Sequence, residues 1–322
     1  MILVTGATGF VGSELVRQLL AMGKSVKALK RETSVIPDIL KNQSDIDWVT
    51  ADVLDYFSLE NAFEGVEYVY HCAALISFSR AEKKQMMRIN AEGTAQIVNL
   101  CLAKNIKKLV YVSSVAAVGE PKGPLESTEK DHWEFNGTQS AYSISKYASE
   151  MEVFRGIAEG LSAVIVNPSV IIGISAGKSG SGALFSIVKN GLSYYPTGML
   201  GLIDVVDVAK SMITLMDTAK SDQRYILNAE NWSYRDLFTT ISNEFKVKPP
   251  GKPLKKWMAN LAVIASALSG YVTGQPAQLT SDTAHSAFSE HKYSNLKIKN
   301  AIGIEFKSIR QSIAEICATV VF

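Results

Sequence analysis

The sequence predicts an α/β protein with a doubly wound parallel sheet and a smaller, mostly helical C-terminal domain. Three observations support this prediction. Short β-branched runs alternate with longer helical patterns through the first half of the chain, which is typical of βαβ units with helices on both faces of a sheet. A glycine-rich turn follows the first of these runs. After Pro168 the alternation stops, and from Trp232 onward the pattern is mostly helical.

The predicted elements are short and regularly spaced. β-branched and apolar runs predict strands at residues 2–4, 25–29, 47–51, 67–72, 107–113, 162–166 and 224–227. Apolar residues that recur every three or four positions predict helices at residues 13–22, 58–63, 86–104, 141–159 and 204–216. In the first helix this apolar face is formed by Leu15, Val16, Leu19 and Leu20.

A chain of 322 residues is long enough for one large and one small domain. Residues 173–182 contain four glycines and three serines and predict a flexible loop, whereas the strand at 224–227 returns the chain to the sheet. We therefore expect a sheet domain of residues 1–168 plus about 203–230, and a second domain of about 169–202 plus 231–322.

Charge and cysteine content narrow the class of protein. The net charge of +2 indicates neither a nucleic acid nor an anionic membrane as partner. The three cysteines Cys72, Cys101 and Cys317 are far apart and lack metal-binding spacing, so we expect reduced thiols, no metal site and a cytoplasmic location. The apolar stretch 257–271 contains an asparagine and two serines and is short for a bilayer, which favours an amphipathic helix.

The strongest local signal is the glycine-rich turn at residues 5–12, which lies between a predicted strand and a predicted helix. Gly6 permits a tight turn, Gly9 lets the backbone approach a pyrophosphate, and Gly12 permits close helix–strand packing. The helix N-terminus offers N–H groups and a positive dipole end to phosphates. Although an ordinary glycine turn is the alternative, this context predicts a Rossmann domain. Its dinucleotide contacts would be Thr5, Gly6, Thr8, Gly9, Phe10, Val11 and Gly12.

The end of the second strand bears on the choice of dinucleotide. An NAD site places an acidic side chain there for the ribose hydroxyl. Here Lys30 occupies that position and Arg31 follows it, and a guanidinium suits a 2′-phosphate. We therefore expect NADP, with NAD possible. In the alternative, both cations are solvated and Glu32 binds the ribose of NAD.

Two further strand ends fit a dinucleotide. Asp52 and Val53 follow the third strand, where the carboxylate can accept the adenine amino group. Cys72, Ala73 and Ala74 follow the fourth strand, where small side chains leave room for ribose and phosphates.

Two polar residues are expected to have structural roles. His71 is a candidate for catalysis, but a histidine at a strand end is more often packed and hydrogen-bonded. Asp207 opens a predicted helix, and we expect it to cap that helix.

Tyr142 and Lys146 lie four residues apart in a helical pattern and therefore share one face. The unperturbed tyrosine pKa of about 10 is too high for a base at neutral pH, but a nearby ammonium and the positive ring of an oxidised nicotinamide favour the phenolate. Tyr142 can then exchange a proton with a substrate oxygen, while Lys146 can hydrogen-bond the nicotinamide ribose. Ser114, at the end of the fifth strand, can donate to the same substrate oxygen.

These motifs, taken in order, resemble the extended short-chain dehydrogenase/reductase family, also called the NAD-dependent epimerase/dehydratase family. The resemblance covers nearly the whole chain and rests on TGATGFVG, DV, HCAA, NAEGT, YVSS, YSISK and NPSVIIG. It implies that Ser114, Tyr142 and Lys146 are catalytic, and that Asn90 belongs to a network of active-site water and lysine. It further implies cofactor contacts at Asn167, Pro168, Ser169 and Val170.

Within that family the chain is most similar to the dihydroflavonol-reductase-like branch, through the sequences at residues 167–169 and 203–209. Members of that branch reduce aldehydes or ketones or oxidise the alcohols. The resemblance thus implies an NAD(P)-dependent reductase or dehydrogenase acting on a small-molecule carbonyl or alcohol. Sugar-nucleotide dehydratases carry an acid and a base after the strand, whereas Val115 and Ala116 follow Ser114 here.

Two alternatives stay open. One is a nucleotide-sugar epimerase of the same family, although a diphosphate usually binds arginines and only Arg224, Arg235 and Arg310 follow residue 160. The other is a non-catalytic NADP-binding regulatory protein, although such proteins commonly lack the tyrosine or the lysine.

The substrate is expected between the sheet domain and the second, substrate-binding domain, near residues 74–78, 116–118 and 173–182. The small apolar side chains there suggest a substrate with little charge. By analogy with relatives, the helices at 86–104 and 141–159 would form a homodimer.

Overall fold

The computed structural model describes residues 1–319 except 78, 122, 124, 177–179, 260–262 and 264–280. Most of the predicted amphipathic stretch 257–271 and parts of the two substrate segments 74–78 and 173–182 lie outside the described residues. Among the helices that are described, none combines the length and the apolar character needed to cross a membrane.

The centre of the fold is a seven-stranded sheet in which every pair of neighbours is parallel. From one edge to the other the strands are β10 (Gln223–Leu227), β6 (Ala163–Pro168), β5 (Lys108–Val112), β4 (Tyr68–His71), β1 (Ile2–Thr5), β2 (Val26–Lys30) and β3 (Ile46–Thr50). The chain builds outward from β1 to one edge and then from β4 to the other, so the predicted doubly wound Rossmann sheet is confirmed.

Helices cover both faces of this sheet and also pack in a second region beyond it. They are α1 (Phe10–Ala21), α2 (Asp38–Lys41), α3 (Tyr56–Ala62), α4 (Lys83–Met86), α5 (Gly93–Ala103), α6 (Ala141–Ala158), α7 (Gly182–Lys189), α8 (Val205–Asp217), α9 (Tyr234–Glu244), α10 (Ser281–Phe288), α11 (Leu296–Ile302) and α12 (Ile309–Thr319). A π-helical turn (Met87–Glu92) joins α4 to α5, and 3₁₀ turns occupy Arg80–Glu82, Val115–Ala117 and Ile174–Ala176.

Two apolar layers hold the helices to the sheet. Because successive strand residues point to opposite faces, Leu3 packs in one layer and Val4 in the other. The layer of Val4 includes Leu19 of α1 and Met212 of α8, and the layer of Leu3 includes Val153 of α6. All five side chains are at most 1% exposed, so each contributes roughly 1.5–3 kcal/mol of burial free energy.

A second region lies beyond the carboxyl edge of the large sheet. It contains a three-stranded sheet in the order β11 (Glu230–Ser233), β9 (Met199–Asp204) and β7 (Val170–Ile172), and a two-residue pair of β8 (Tyr194–Tyr195) with β12 (Lys252–Pro253). Leu200 and Leu202 of β9 pack there with α7, α9 and α12. The sequence pattern predicted no strands in this region. Since β9 crosses the predicted boundary at 202–203, the two-domain division stays a proposal.

Two predicted details are corrected by the structure. Asp204, rather than Asp207, caps α8, because its carboxylate accepts the N–H of Val206 at 2.8 Å. Asp207 lies in the first turn and accepts the backbone N–H of Lys307 at 2.7 Å, which ties the C-terminal segment to α8. The predicted helix at 86–104 is interrupted by the π-helical turn Met87–Glu92.

Candidate active site

The glycine turn between β1 and α1 has no room for side chains at two positions. Gly6 has a φ of +65°, and a Cβ there would lie 2.6 Å from the backbone nitrogen of Ala73. A Cβ at Gly12 would overlap the carbonyl oxygen of Gly6. The turn is therefore pressed against both the start of α1 and the segment that follows β4, and only glycine satisfies these contacts.

Helix α1 begins at this turn without a capping side chain. Its N-cap is Gly9, whose N–H donates to the carbonyl of Gly6 at 2.9 Å. Residues 10–12 present their backbone N–H groups and the positive end of the helix dipole at the carboxyl edge of the sheet. Within the part of the chain that is described, the hydroxyl of Thr8 makes no hydrogen bond. A cradle of this kind fits a pyrophosphate.

A directed hydrogen-bond chain ties the turn to the helix layer. Thr94 Oγ1 donates to the carbonyl of Asn90 at 2.5 Å, so it accepts from His71 Nε2 at 3.0 Å. Burial lowers the pKa of His71 to about 3, so the ring is neutral and its Nδ1 accepts from the Thr5 hydroxyl at 2.7 Å. Thr5 in turn accepts the N–H of Ala73 at 3.2 Å. His71 is thus a packed, hydrogen-bonded residue.

Two cations lie at the end of β2. Lys30 is half-buried and Arg31 is exposed, and neither side chain forms an ion pair or a hydrogen bond with any residue described. The backbone N–H of Arg31 donates to Ser34 Oγ at 3.1 Å, which holds the turn that follows the strand. Glu32 is also exposed. The ammonium and the guanidinium are therefore both available to a phosphate.

The other residues predicted to contact a dinucleotide line the same edge of the sheet. Asp52 is exposed after β3, and one of its oxygens accepts the N–H of Leu54 at 2.9 Å. Val53 packs so closely on α5 that a Cβ at Gly93 would lie 2.9 Å from its methyl group. The segment after β4 begins at Cys72, whose N–H donates to the carbonyl of Thr5 at 3.2 Å, and Ala74 is exposed.

Asn90 lies in the π-helical turn, a geometry found often at functional sites. Its side chain is 1% exposed and fully engaged. Oδ1 accepts the N–H of Leu75 at 2.7 Å, while Nδ2 donates to the carbonyl of Leu75 at 2.9 Å and to Ser145 Oγ at 3.0 Å. Asn90 thus holds the segment after β4 against α6. These contacts involve the neighbour of Lys146 rather than Lys146 itself.

Ser114 and Tyr142 meet at the carboxyl edge between β5 and α6. Ser114 is the N-cap of the 3₁₀ turn Val115–Ala117, and its Oγ accepts the N–H of Ala116 at 3.2 Å. Burial raises the pKa of Tyr142, and the nearby hydroxyl of Ser114 opposes that rise. The two hydroxyl groups are therefore close enough to act on one substrate oxygen.

Lys146 lies one helical turn beyond Tyr142 and is 2% exposed. Its Nζ donates to Tyr111 Oη and to the carbonyl of Val112, both at 2.8 Å. Burial lowers the pKa of Lys146 to about 7, and the nearby Glu150 opposes that fall. The sequence predicts that this ammonium lowers the pKa of Tyr142, whereas burial dominates for both groups in this structure.

Sequence reasoning missed Glu150, one further turn along α6. Its carboxylate is fully buried and accepts from Ser113 Oγ at 2.7 Å, from Asn167 Nδ2 at 2.8 Å and from Arg224 Nη1 at 3.0 Å. The spacing of four residues after Lys146 was the available signal, but none of its three partners is near in sequence.

The four residues predicted at the end of β6 lie beside these groups. Asn167 also donates to the carbonyl of Ser114 at 3.0 Å. Asn167 Oδ1 and Ser169 Oγ are buried and have no hydrogen-bond partner among the residues that the structure describes. Pro168 ends β6 and Val170 begins β7. The free amide oxygen of Asn167 can accept a hydrogen bond and the hydroxyl of Ser169 can donate or accept one, so both suit a polar ligand.

The predicted site residues fall into two groups on either side of β1. Lys30, Arg31 and Asp52 lie toward β2 and β3, whereas Ser114 and Tyr142 lie toward β5. The glycine turn lies between the two groups. This order fits a dinucleotide with its adenosine half over β2 and its nicotinamide half over β4 and β5. Among the residues described, no group of three His, Cys, Asp or Glu side chains is placed to hold a metal ion.

Comparisons with known proteins agree with this geometry. Residues 2–229 match the family described as "NAD dependent epimerase/dehydratase family". Over 319 residues the chain is 32% identical to a Synechocystis protein named "Putative dihydroflavonol 4-reductase", with 97% of this chain and 92% of that protein covered. Cinnamoyl-CoA reductase 1 of Petunia hybrida is 26% identical, with 98% and 90% covered. The crystal structure of gox2253 superposes with a TM-score of 0.85 at 29% identity, with 99% and 97% covered.

Proposed function

Because the chain belongs to the NAD dependent epimerase/dehydratase family, on its dihydroflavonol-reductase-like branch, we propose that it passes a hydride between a nicotinamide cofactor and a small carbonyl or alcohol. The observation that carries the proposal is the meeting of the Ser114 and Tyr142 hydroxyls, with Lys146 one turn away, at the sheet edge that holds the glycine cradle.

The side chains divide the work of carbonyl reduction. A nicotinamide cofactor, when bound, would supply the hydride. Ser114 donates a hydrogen bond to the carbonyl oxygen, and Tyr142 donates its phenolic proton to that oxygen as negative charge develops there. The raised pKa of Tyr142 keeps the phenol protonated at neutral pH, which suits reduction. In the reverse direction the positive nicotinamide ring would favour the phenolate. Lys146 orients the nicotinamide ribose.

NADP is the cofactor that the second strand end favours. The side chains of Lys30 and Arg31 have no partner among the described residues and follow the strand whose end lies near the cofactor ribose in Rossmann domains, which supports a contact with the 2′-phosphate of NADP. Asp52 is placed for the adenine amino group. The family assignment itself requires only a nicotinamide dinucleotide.

An aromatic aldehyde or ketone is the substrate class that we propose. Two relatives are named as reductases of compounds with aromatic rings, a dihydroflavonol and cinnamoyl-CoA. Ile76 is 64% exposed after β4 and Ile174 is 46% exposed after β7, so apolar side chains border the edge where Tyr142 lies. We place the substrate there, between the proposed sheet domain and substrate domain.

The nucleotide-sugar epimerase alternative is weakened by Arg224. Its guanidinium donates to Glu150 and to the backbone carbonyls of Glu129 and Asp131, so it is not available to a diphosphate. The non-catalytic alternative is weakened because Ser114 and Tyr142 are placed to share one oxygen.

The test measures two reactions of the purified chain in parallel. One is NADPH consumption with a panel of aromatic and aliphatic aldehydes and ketones, and the other is interconversion of UDP-glucose and UDP-galactose with NAD. We expect turnover of aromatic carbonyls and no epimerisation. Epimerisation without carbonyl reduction would support the nucleotide-sugar alternative. NADPH binding without consumption across the panel would support the regulatory one.

A further inference from the structure

We propose that Glu150 is a positioning residue for this reaction, which holds Ser114 in place through Asn167 and lies one helical turn from Lys146. The inference rests on the proposed function. It assigns a role to a fully buried carboxylate that none of the proposed steps uses directly.

The carboxylate of Glu150 is the point at which four elements of the fold meet. Glu150 is on α6, and its three donors are Ser113 Oγ directly after β5 at 2.7 Å, Asn167 Nδ2 on β6 at 2.8 Å and Arg224 Nη1 on β10 at 3.0 Å. Both oxygens are thus occupied by groups from neighbouring strands. A carboxylate held in this way has one orientation.

The link to Ser114 passes through Asn167. The same Nδ2 group donates to Glu150 at 2.8 Å and to the carbonyl of Ser114 at 3.0 Å. Ser113, the neighbour of Ser114, donates directly to Glu150. The end of β5 is therefore fixed at two successive residues, and the hydroxyl of Ser114 is directed by backbone that this carboxylate holds.

The link to Lys146 is electrostatic. Groups from several elements face this ammonium: Tyr111 on β5, His71 and Cys72 at the end of β4, and Glu150 on α6. Burial lowers the pKa of His71 to about 3 and raises the pKa of Cys72 to about 12, so both are neutral at pH 7. Among these groups only the carboxylate of Glu150 is negatively charged, and it opposes the fall in the pKa of Lys146.

A purely structural role is the competing explanation. The pair of Arg224 with Glu150 ties β10 to α6. Arg224 also donates to the carbonyls of Glu129 and Asp131, which ties β10 to the segment before α6. Replacing one member of a buried ion pair destabilises a protein, whereas replacing both is often neutral. If Glu150 has only a structural role, replacing both members should therefore restore the wild-type properties, whereas the loss of a positioning role should persist.

The test compares Glu150→Gln with the matched control Glu152→Gln, whose carboxylate lies on the same helix, is half-exposed and pairs with Arg155. The first readout is the pKa of Lys146, followed by the ¹³Cε shift in lysine-labelled protein without cofactor and assigned with Lys146→Arg. The second readout is kcat and KM against pH with NADPH and an aromatic aldehyde. We expect Glu150→Gln to lower the Lys146 pKa by about 0.5 or more and kcat about tenfold or more, with a smaller change in KM.

The double variant Glu150→Gln/Arg224→Gln removes both charges and is expected to fold like the wild type while keeping the lowered pKa and the low kcat. The proposal is wrong if the double variant regains the wild-type Lys146 pKa and kcat, or if Glu150→Gln keeps both at their wild-type values. Should neither variant fold, Glu150→Asp keeps the charge on a shorter side chain. It should leave the Lys146 pKa in place but lower kcat, and an unchanged kcat would overturn the proposal. The titration needs no cofactor or substrate, so it stands even if the wild type reduces no carbonyl.

Discussion

The ammonium of Lys146 donates a hydrogen bond to the phenol oxygen of Tyr111 at 2.8 Å, in a part of the fold where both side chains are at most 2% exposed. Tyr111 stacks in turn on the ring of His71, with 5.4 Å between the ring centroids. The lysine that would orient the cofactor is thus held in place by the hydroxyl of Tyr111 on β5. This contact therefore bears both on stability and on the proposed catalysis.

Tyr111→Phe removes one acceptor from the buried ammonium and should lower the free energy of unfolding by about 1–3 kcal/mol, because an unmatched buried donor loses its hydration without compensation. Urea denaturation followed by fluorescence measures this loss. Tyr68→Phe is the matched control, since Tyr68 lies on the neighbouring strand and is half-buried. It should stay within about 0.5 kcal/mol of the wild type. Equal effects at the two tyrosines would argue against the contact.

The buried position of Lys146 predicts how stability depends on pH. Burial lowers the pKa of Lys146 from 10.5 to about 7 in the folded chain, so between these values the unfolded chain binds more protons. The contribution of this lysine to stability is therefore fully present above pH 10.5 and falls as the pH is lowered from 10.5 to about 7, where its loss is complete.

Unfolding free energies of the wild type and Lys146→Met at pH 7, 8.5 and 10 measure this contribution. The stability of the wild type relative to the variant should increase with pH, whereas the exposed control Lys24→Met should parallel the wild type. A difference between wild type and Lys146→Met that stays constant with pH would contradict the buried, depressed lysine.

Gly6→Ala should lower the affinity for NADPH at least about tenfold, because its Cβ would lie 2.6 Å from the backbone of Ala73 and displace the cradle. Gly23→Ala is the matched control, since Gly23 has a φ of +70° but nothing lies within 4 Å of its Cβ position. It should cost about 1–2 kcal/mol of stability and leave the affinity unchanged. Isothermal titration with NADPH measures the affinity of both variants. Equal losses of affinity would show that backbone strain alone is responsible.

Arg31→Ala should weaken NADP binding about 10- to 100-fold and leave NAD binding nearly unchanged, since it removes a charge-assisted contact that only the 2′-phosphate makes. Lys24 is an exposed cation just before β2, at the end of the strand opposite to Arg31, and Lys24→Ala should alter neither affinity. Dissociation constants for both dinucleotides measure the preference. An unchanged NADP-to-NAD ratio in Arg31→Ala would rule out the proposed role of this arginine.

The parts of the structure that sequence could predict are those set by local rules. The alternation of strand and helix patterns gave the parallel sheet, and the spacing of Tyr142 and Lys146 placed both on one helix face. The positive φ of Gly6 and the contact of Gly12 with the Gly6 carbonyl are local requirements of the turn, whereas the contact of Gly6 with Ala73 is not local.

What the sequence did not predict depends on contacts between distant segments. The short strands β7, β9 and β11 pair across 28 residues or more, and three- to six-residue runs carry little periodicity. Asp204 and Asp207 are equally good caps in sequence, and only the backbone path decides between them. The partners of Glu150 come from two strands and from the residue that follows a third, all distant in sequence, so the sequence could not reveal its role.

The central claim is that the phenol of Tyr142 exchanges a proton with the substrate, and Tyr142→Phe tests it most directly. Tyr147→Phe is the matched control, because Tyr147 lies on the same helix and its ring stacks on Trp133 at 4.2 Å, a contact that phenylalanine preserves. With NADPH and an aromatic aldehyde, Tyr142→Phe should lower kcat at least about 100-fold and change the NADPH dissociation constant less than about threefold, while Tyr147→Phe behaves as the wild type. A Tyr142→Phe variant that still reduces the aldehyde at the wild-type rate would contradict the account.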